Sequence, residues 1–294
     1  MEARIVVIGL GLIGGSCALA LRNAWPQLSI TAIDRDANNL DEGLKRGAIE
    51  ATGDYTAVRD ADLILLAVPA RQLPGVLAGI VPHLQAHTVI TDVGSTKQDV
   101  VAAARAALCE RVGQFVPAHP IAGRERSGMA AATSELFDGR TVVLTPLAEN
   151  GADAVSRVKL LWQACGARAV EMTATAHDEI FAAVSHLPHM LAFALVDEFA
   201  TRPNARSLFS FAASGFRDFT RIASSSPEMW RDIALNNRAA LVEEMDRYLR
   251  HAGALRDAIA TGDSSKLDAI MQRAQAARAH WLAGEFEHFR DEPA

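Results

Sequence analysis

The chain is poor in cysteine. Its three, Cys17, Cys109 and Cys165, are widely spaced over 294 residues, and none belongs to a CxxC pair. That spacing excludes a disulfide framework and a cysteine-rich zinc site, and it fits a reducing cytoplasm. Positive charge is not in excess either. The formal net charge is −6 and there is no long basic run, so nucleic acid is not an expected partner. No apolar run continues for the roughly 20 residues that a membrane span needs. The most apolar helical stretch, residues 180–196, is interrupted by Ser185, His186, Pro188 and His189. It is expected to be a helix buried between domains or subunits, not a membrane span. The sequence enters a strand almost at once, which leaves no room for a signal peptide. There is no internal repeat and no low-complexity segment.

Half of the residues are hydrophobic and about a fifth are charged, and the length allows two domains. The most informative stretch is the first. A short apolar run ending at Ile8 breaks into Gly9-Leu10-Gly11-Leu12-Ile13-Gly14, and an acidic residue, Asp34, follows about 20 residues later. Gly9 lets the chain turn after the strand. Gly11 has no side chain, so a pyrophosphate can approach the backbone. Gly14 lets the next helix, expected over residues 12–23, pack closely on the sheet. The free N–H groups at Leu12 and Ile13 then face the phosphates, aided by the helix dipole. A second strand, residues 29–33, ends at Asp34. Its carboxylate suits both ribose hydroxyls of NAD and opposes a 2′-phosphate, so NAD is favoured over NADP. Arg35 could soften that preference. Val68 and Pro69, where the third strand runs out, join these cofactor-side residues.

Strands and helices alternate through the first part. A helix is expected near residues 38–46, and strands at 62–68, 88–92, 114–117, 141–145 and 168–172, with a helix at 152–165. This pattern predicts an α/β Rossmann-type, doubly wound, mostly parallel sheet. The pattern changes near Thr173. Thr175 with Asp178 reads as a capping box. Ser226-Pro227 reads as a second helix start, followed by one helix with Trp230, Ala234, Leu241, Met245 and Tyr248 on roughly one face. The expected domains are 1–172, dinucleotide-binding, and 173–294, all-helical, the second burying its apolar face in a homodimer.

Two segments fall where strands end, the usual ligand crevice of such a sheet. In Asp92-Val93-Gly94-Ser95-Thr96-Lys97, Ser95 and Thr96 could cap the next helix or place a hydroxyl beside the nicotinamide. In Ala118-His119-Pro120-Ile121-Ala122-Gly123-Arg124-Glu125, His119 follows the strand directly and suits proton transfer near neutral pH. His186 and His189 lack an acidic or cysteine neighbour in sequence, so no metal is expected there. Packing, or substrate contact by His189, is the expectation. Arg217, Arg221 and Arg231 lie among apolar residues around Trp230. A buried guanidinium needs a partner, which points to an anion site or to an internal Arg–Asp bridge. Asn237 is a candidate for either a crevice contact or core satisfaction.

GLGLIGGS, DVGSTK, HPIAGRE, VSHLPH and GFRDFTRIASSSPEMWRDI, in this order over nearly the whole chain, resemble the prephenate dehydrogenase family of tyrosine biosynthesis. The chain looks most like its cyclohexadienyl dehydrogenase branch. The resemblance implies a Rossmann domain, a helical dimerisation domain and NAD. It implies oxidative decarboxylation of prephenate to 4-hydroxyphenylpyruvate, or of arogenate to tyrosine, and it brings in tyrosine as a candidate feedback inhibitor. By resemblance, His119 and Ser95 meet the ring hydroxyl, while Arg221 binds a carboxylate. His189 and Trp230 lie on the substrate side. Many relatives have a small hydroxyl residue where this chain has Arg124, and an arginine there would disfavour the ammonium of arogenate. Two other readings share the cofactor fold. A β-hydroxyacid dehydrogenase or imine reductase would place a lysine in the first helix of the second domain, and residues 175–196 have none. A non-catalytic NAD sensor would not need His119 and Arg221 together.

Overall fold

In the computed structural model, which describes residues 3–124 and 126–289, the apolar run becomes strand β1 (Arg4–Ile8), with four of its five residues buried. Helix α1 (Leu12–Ala24), strand β2 (Ser29–Ile33), helix α2 (Ala37–Lys45) and the short β3 (Ala51–Thr52) follow. Next come β4 (Leu63–Leu66), α3 (Leu73–Ile80), β5 (Val89–Asp92), α4 (Gln98–Leu108) and β6 (Phe115–Val116). The six strands form one sheet, ordered β3-β2-β1-β4-β5-β6, with every pairing parallel. Strands such as Leu63-Ile64-Leu65-Leu66 are buried throughout because helices cover both faces. One layer packs Leu21, Leu65 and Trp162, and the other packs Ile64, Leu77 and Phe115. This is the expected doubly wound arrangement.

One part differs from expectation. The predicted strand over 114–117 ends at Val116, and Ala118–Pro120 forms a separate strand, β7. Pro117 separates them, and β7 pairs antiparallel with β8 (Thr141–Leu144). After α5 (Ala152–Ala164), β9 (Arg168–Glu171) pairs parallel with β8, closing a second, three-stranded sheet. His119 therefore lies inside a strand of the small sheet, opposite Val143, and does not follow a strand of the large one.

Cys17 and Cys165, 148 residues apart in sequence, bring their buried Sγ atoms to 3.7 Å, unbonded. Each replaces solvent for the other, and burial and the mutual hydrogen bond hold the Cys17 thiol well above its ordinary pKa.

The change to helix comes at Thr173. Thr173, not Thr175, caps α6 (Ala174–Phe181), accepting from Ala176 N–H. Thr175 therefore lies inside the helix and Asp178 is released for another partner. A single π-helical turn, Ala182–His186, joins α6 to α7 (Leu187–Ala200). Such turns insert a residue and re-aim the side chains around them. By length and composition, Ala174–Ala200 is apolar enough to cross a membrane, but only 22% of its most apolar window is buried in the chain. Val184 is 66% exposed. The expected burial of this helix is therefore not supplied by a single chain.

Helices α8 (Ala205–Ser210), α9 (Ser214–Thr220) and α10 (Pro227–Asn236) follow. Ser226 caps α10 as expected, with Pro227 in its first turn. The single helix expected beyond it breaks at Asn237, and α11 (Arg238–Thr261) begins afresh. Asn237 leaves the helix because its side chain is committed inward (below). Contacts group the chain into one unit ending at Leu241 and a second beginning at Val242. The second unit contains the rest of α11 and α12 (Ser264–Ala283). Asp263 caps α12 at its start, and Gly284 ends it in the left-handed region.

Candidate active site

The glycine turn does what its spacing requires. Gly9 has φ +96°, and a Cβ there would sit 2.3 Å from the Ala67 carbonyl oxygen. A Cβ on Gly14 would lie 2.0 Å from the carbonyl oxygen of Gly9. Gly11 differs, since a Cβ there would meet nothing within 4 Å. Gly11 is also the N-cap of α1, and no side chain caps that helix end. The first-turn N–H groups, at Leu12 and Ile13 among others, therefore open onto free space, as an anion site at a helix N-terminus needs. Beside them lies a cleft of about 240 Å³, lined in part by Asp34, Arg35, Val68 and Pro69. The Asp34 carboxylate also accepts from the N–H of Leu10 at 2.6 Å and of Asp36 at 2.8 Å. It thus ties the glycine loop to the end of β2. Glycines, helix end, carboxylate and cleft fit a dinucleotide.

A second cluster forms where β5, β7 and α6 meet. The Lys97 side chain is fully buried. Its Nζ donates to Asp92 Oδ2 at 2.6 Å and to the Ala118 carbonyl at 2.7 Å. Asp92 Oδ1 accepts from Ala118 N–H at 3.0 Å, so this pair pins β7 to the end of β5. Neither Ser95 nor Thr96 caps α4. Its first N–H groups, at Lys97 and Gln98, donate instead to the two carboxylate oxygens of Asp178, at 2.8 and 2.9 Å. The aspartate read as part of its own helix's capping box caps a different helix.

Next to that cap, Asp178 Oδ1 is 2.8 Å from His177 Nδ1, and His177 Nε2 is 2.8 Å from His119 Nδ1. Phe181 packs against both rings. Burial holds His119 well below the ordinary histidine pKa, and the charge of Lys97 pushes the same way. His119 is therefore neutral near pH 7 and presents a proton acceptor. Burial also lowers His177, against the pull of Asp178. Burial would raise Asp178, but hydrogen bonds from His177, Gln98 and Lys97 outweigh it and keep the carboxylate ionised.

The π turn divides the two histidines of the SHLPH segment. His186 points inward, 3.1 Å from Asn237 Nδ2, and hydrogen-bonds the Ser95 backbone. Burial lowers its pKa to about 4. Asn237 also donates to the Asp178 carbonyl at 2.7 Å, so of its two candidate roles it takes core satisfaction. His189 stacks on Trp230, ring centroids 3.5 Å apart, and its Nδ1 is held by the Ser185 carbonyl at 2.9 Å. Burial lowers its pKa, and so does the charge of Arg221, which places that guanidinium beside it. The Trp230 indole N–H is buried without a hydrogen-bond partner among the described residues. Arg231 forms the internal bridge expected for one of the arginines, to Asp232 at 2.8 Å.

Arg124 sits on the exposed loop after β7, where its charge acts on Glu135. The neighbouring Glu125 lies outside the described residues. His177 and Asp178 were not singled out as chemical groups from sequence. A histidine–acid doublet in the first turns of a helix is common, and only the fold brings it to His119. Elsewhere, His280, Glu285 and His288 bring ligand-type atoms within 4.8 Å of one another on the second unit.

The comparisons with known proteins come from sequence and from structure. The family described as "Prephenate dehydrogenase, nucleotide-binding domain" matches residues 17–171, and "Prephenate dehydrogenase, dimerization domain" matches residues 173–273. A prephenate dehydrogenase of Bacillus subtilis is 39% identical over 91% of this chain and 73% of its own length. A cyclohexadienyl dehydrogenase of Zymomonas mobilis is 36% identical over 93% of this chain and 94% of its own. A crystal structure of prephenate dehydrogenase from Aquifex aeolicus, in complex with hydroxyphenyl propionate and NAD+, is also similar. It superposes with a TM-score of 0.88 at 31% identity, covering 95% of this chain and 98% of that one.

Proposed function

The chain belongs to the prephenate dehydrogenase family, and from that premise we propose how its residues divide the work of the reaction. It is an NAD-dependent oxidoreductase of tyrosine biosynthesis that oxidatively decarboxylates prephenate or arogenate. Family membership sets aside the hydroxyacid-dehydrogenase and sensor readings. The observation that carries the assignment of roles is the linkage through His186, which hydrogen-bonds the Ser95 backbone, lies in the field of His119 and packs 6.1 Å from Trp230, on which His189 stacks under the charge of Arg221.

Bound NAD supplies the hydride acceptor. The α1 N-terminus at Gly11 holds its pyrophosphate, Asp34 its ribose, and Val68 and Pro69 line its cleft. Neutral His119 takes the ring hydroxyl into a hydrogen bond and draws off its proton as hydride leaves C4. The bond from the ring to the carboxylate then breaks, carbon dioxide departs, and that electron pair completes the aromatic ring. His119 returns the proton to the phenolic oxygen, so no net proton is released. Ser95 orients the hydroxyl. Arg221 and the buried Trp230 N–H receive a carboxylate, a charge-assisted contact that suits a guanidinium fork, while neutral His189, whose Nδ1 proton goes to the Ser185 carbonyl, meets substrate as an acceptor at Nε2.

The helical segment from Thr173 onward forms the interface of a homodimer, which would cover exposed apolar residues such as Val184. The free, buried Cys17 and Cys165 fit a reducing cytoplasm. Tyrosine shares its phenol with the keto-acid product, so it competes for the same crevice. Absorbance at 340 nm with purified protein, NAD and each substrate in turn tests the assignment. Turnover of prephenate or arogenate with NAD is expected. No NADH from either substrate, by a folded protein that binds NAD, would overturn it.

A further inference from the structure

We propose that His177 and Asp178 are positioning residues that lock the tautomer of His119, so that Nε2 is the atom that meets the substrate hydroxyl. The proposal rests on the reading of His119 as proton acceptor and adds which nitrogen acts and what makes it do so.

Three groups, Asp178, His177 and His119, share two short contacts and a countable set of protons. Asp178 accepts backbone N–H from Lys97 and Gln98 and stays ionised, so it has no proton to give. The proton in its 2.8 Å contact with His177 therefore sits on His177 Nδ1. Burial keeps His177 uncharged, which leaves its Nε2 as an acceptor. His119 Nδ1, 2.8 Å away, must then be the donor. A neutral imidazole carries one proton, so His119 Nε2 carries the lone pair.

The same chain of contacts acts once His119 becomes an imidazolium. The groups facing it are Asp92 and Lys97 from β5 and its following loop, His177 and Asp178 from α6, and His186 from the π turn. Lys97 opposes positive charge on His119. His177 passes the Nδ1 proton's charge toward Asp178, two hydrogen bonds away. Buried acid–histidine pairs elsewhere orient a base in this way, and neutralising the acid there costs about 10⁴ in kcat.

The test combines kinetics with ¹⁵N NMR of histidine-labelled protein. In the wild type, the His119 resonances should show a protonated Nδ1 and an unprotonated Nε2. His177→Phe removes the acceptor but keeps a ring of similar size. It should lower kcat by about 10² or more, leave NAD affinity unchanged, and shift the acid limb of the kcat profile to lower pH. His177→Gln presents an amide oxygen to His119 Nδ1–H and should recover most of the loss. A wild-type His119 protonated at Nε2 overturns the proposal, even if no variant folds. Equal kcat in the folded Phe and Gln variants also overturns it. If His119→Asn keeps full kcat, the proton-acceptor reading fails and this proposal falls with it. Loss of kcat in that variant, with the Nε2–H tautomer in the wild type, overturns this proposal alone.

Discussion

Asp178 Oδ1 accepts the backbone N–H of Lys97 at 2.8 Å, across 81 residues of sequence. One carboxylate on the helical segment thus caps the helix that begins after the Asp92–Lys97 loop, and the same oxygen holds His177 Nδ1 at 2.8 Å. Structure and chemistry share a single side chain. Asp178→Ala should therefore cost stability and turnover together. Loss of a helix cap alone costs about 0.5–2 kcal/mol, read as a lower Tm, while kcat falls as well. His177→Phe should move kcat with a much smaller change in Tm. Thermal melts of both variants beside steady-state rates separate the two roles, and an Asp178→Ala protein with native Tm and native kcat contradicts both.

His119 is neutral near pH 7 because burial and Lys97 disfavour its proton. As the proposed proton acceptor it acts unprotonated, so activity should be present above its pKa and lost as pH falls through it. The acid limb of kcat/KM should lie below pH 6.5. His119→Asn should bind NAD normally, lose roughly 10²–10⁴ in kcat, and lose that limb. An Asn variant that keeps the same limb assigns it to another group.

Asp34 has two tasks, which makes its variants informative. It faces the cofactor cleft, and it accepts from Leu10 and Asp36 N–H. Asp34→Ser should raise the KM for NAD and improve the use of NADP, because the charge opposing a 2′-phosphate is gone. Wild-type enzyme that turns over NADP better than NAD shows that this charge does not select the cofactor.

The large sheet was legible because its signals are local: apolar runs, a glycine turn, and a carboxylate at the next strand end. Gly9 and Gly14 each have a steric reason, while the space beside Gly11 is open. Two of the failures come from side chains whose partners lie far off in sequence, Asp178 and Asn237. Thr175 and Asp178 fit a capping box, yet Thr173 is the cap and Asp178 reaches α4. The helix after Ser226 should have run on, but Asn237 turns in to the Asp178 carbonyl and His186. Pro117 splits one expected strand between two sheets. His119 was visible as a strand-associated histidine, while His177 had no signal until β7 and α6 were brought together.

His186 makes acid sensitivity a property of the fold. Burial lowers its pKa to about 4, whereas an unfolded chain titrates near 6.5. Between those values the unfolded state binds the extra proton, so stability rises with pH and falls on acidification. Denaturant midpoints should drop as pH goes from about 6.5 toward 4. His186→Gln, which does not titrate, should flatten that slope while lowering stability at neutral pH. A wild-type midpoint that is constant across this window contradicts a neutral, buried His186.

Arg221 stands beside the stacked His189–Trp230 pair. It follows α9, its charge reaches His189, and His189 stacks on Trp230, whose buried indole N–H has no hydrogen-bond partner among the described residues. A guanidinium and an indole N–H on the two sides of His189 suit a carboxylate. Removing one partner of a shielded guanidinium–carboxylate pair costs about 2–5 kcal/mol. Arg221→Gln should thus lower kcat/KM for prephenate by about 30-fold or more. NAD affinity and Tm should stay near native values. Arg221→Lys should recover part of the loss, since it keeps the charge but not the fork. Trp230→Phe keeps the stacking surface and removes the N–H, so it should raise KM with a smaller effect on kcat. If Arg221→Gln binds prephenate normally but melts early, the arginine is structural, and the carboxylate must be sought at Arg217 or Arg124.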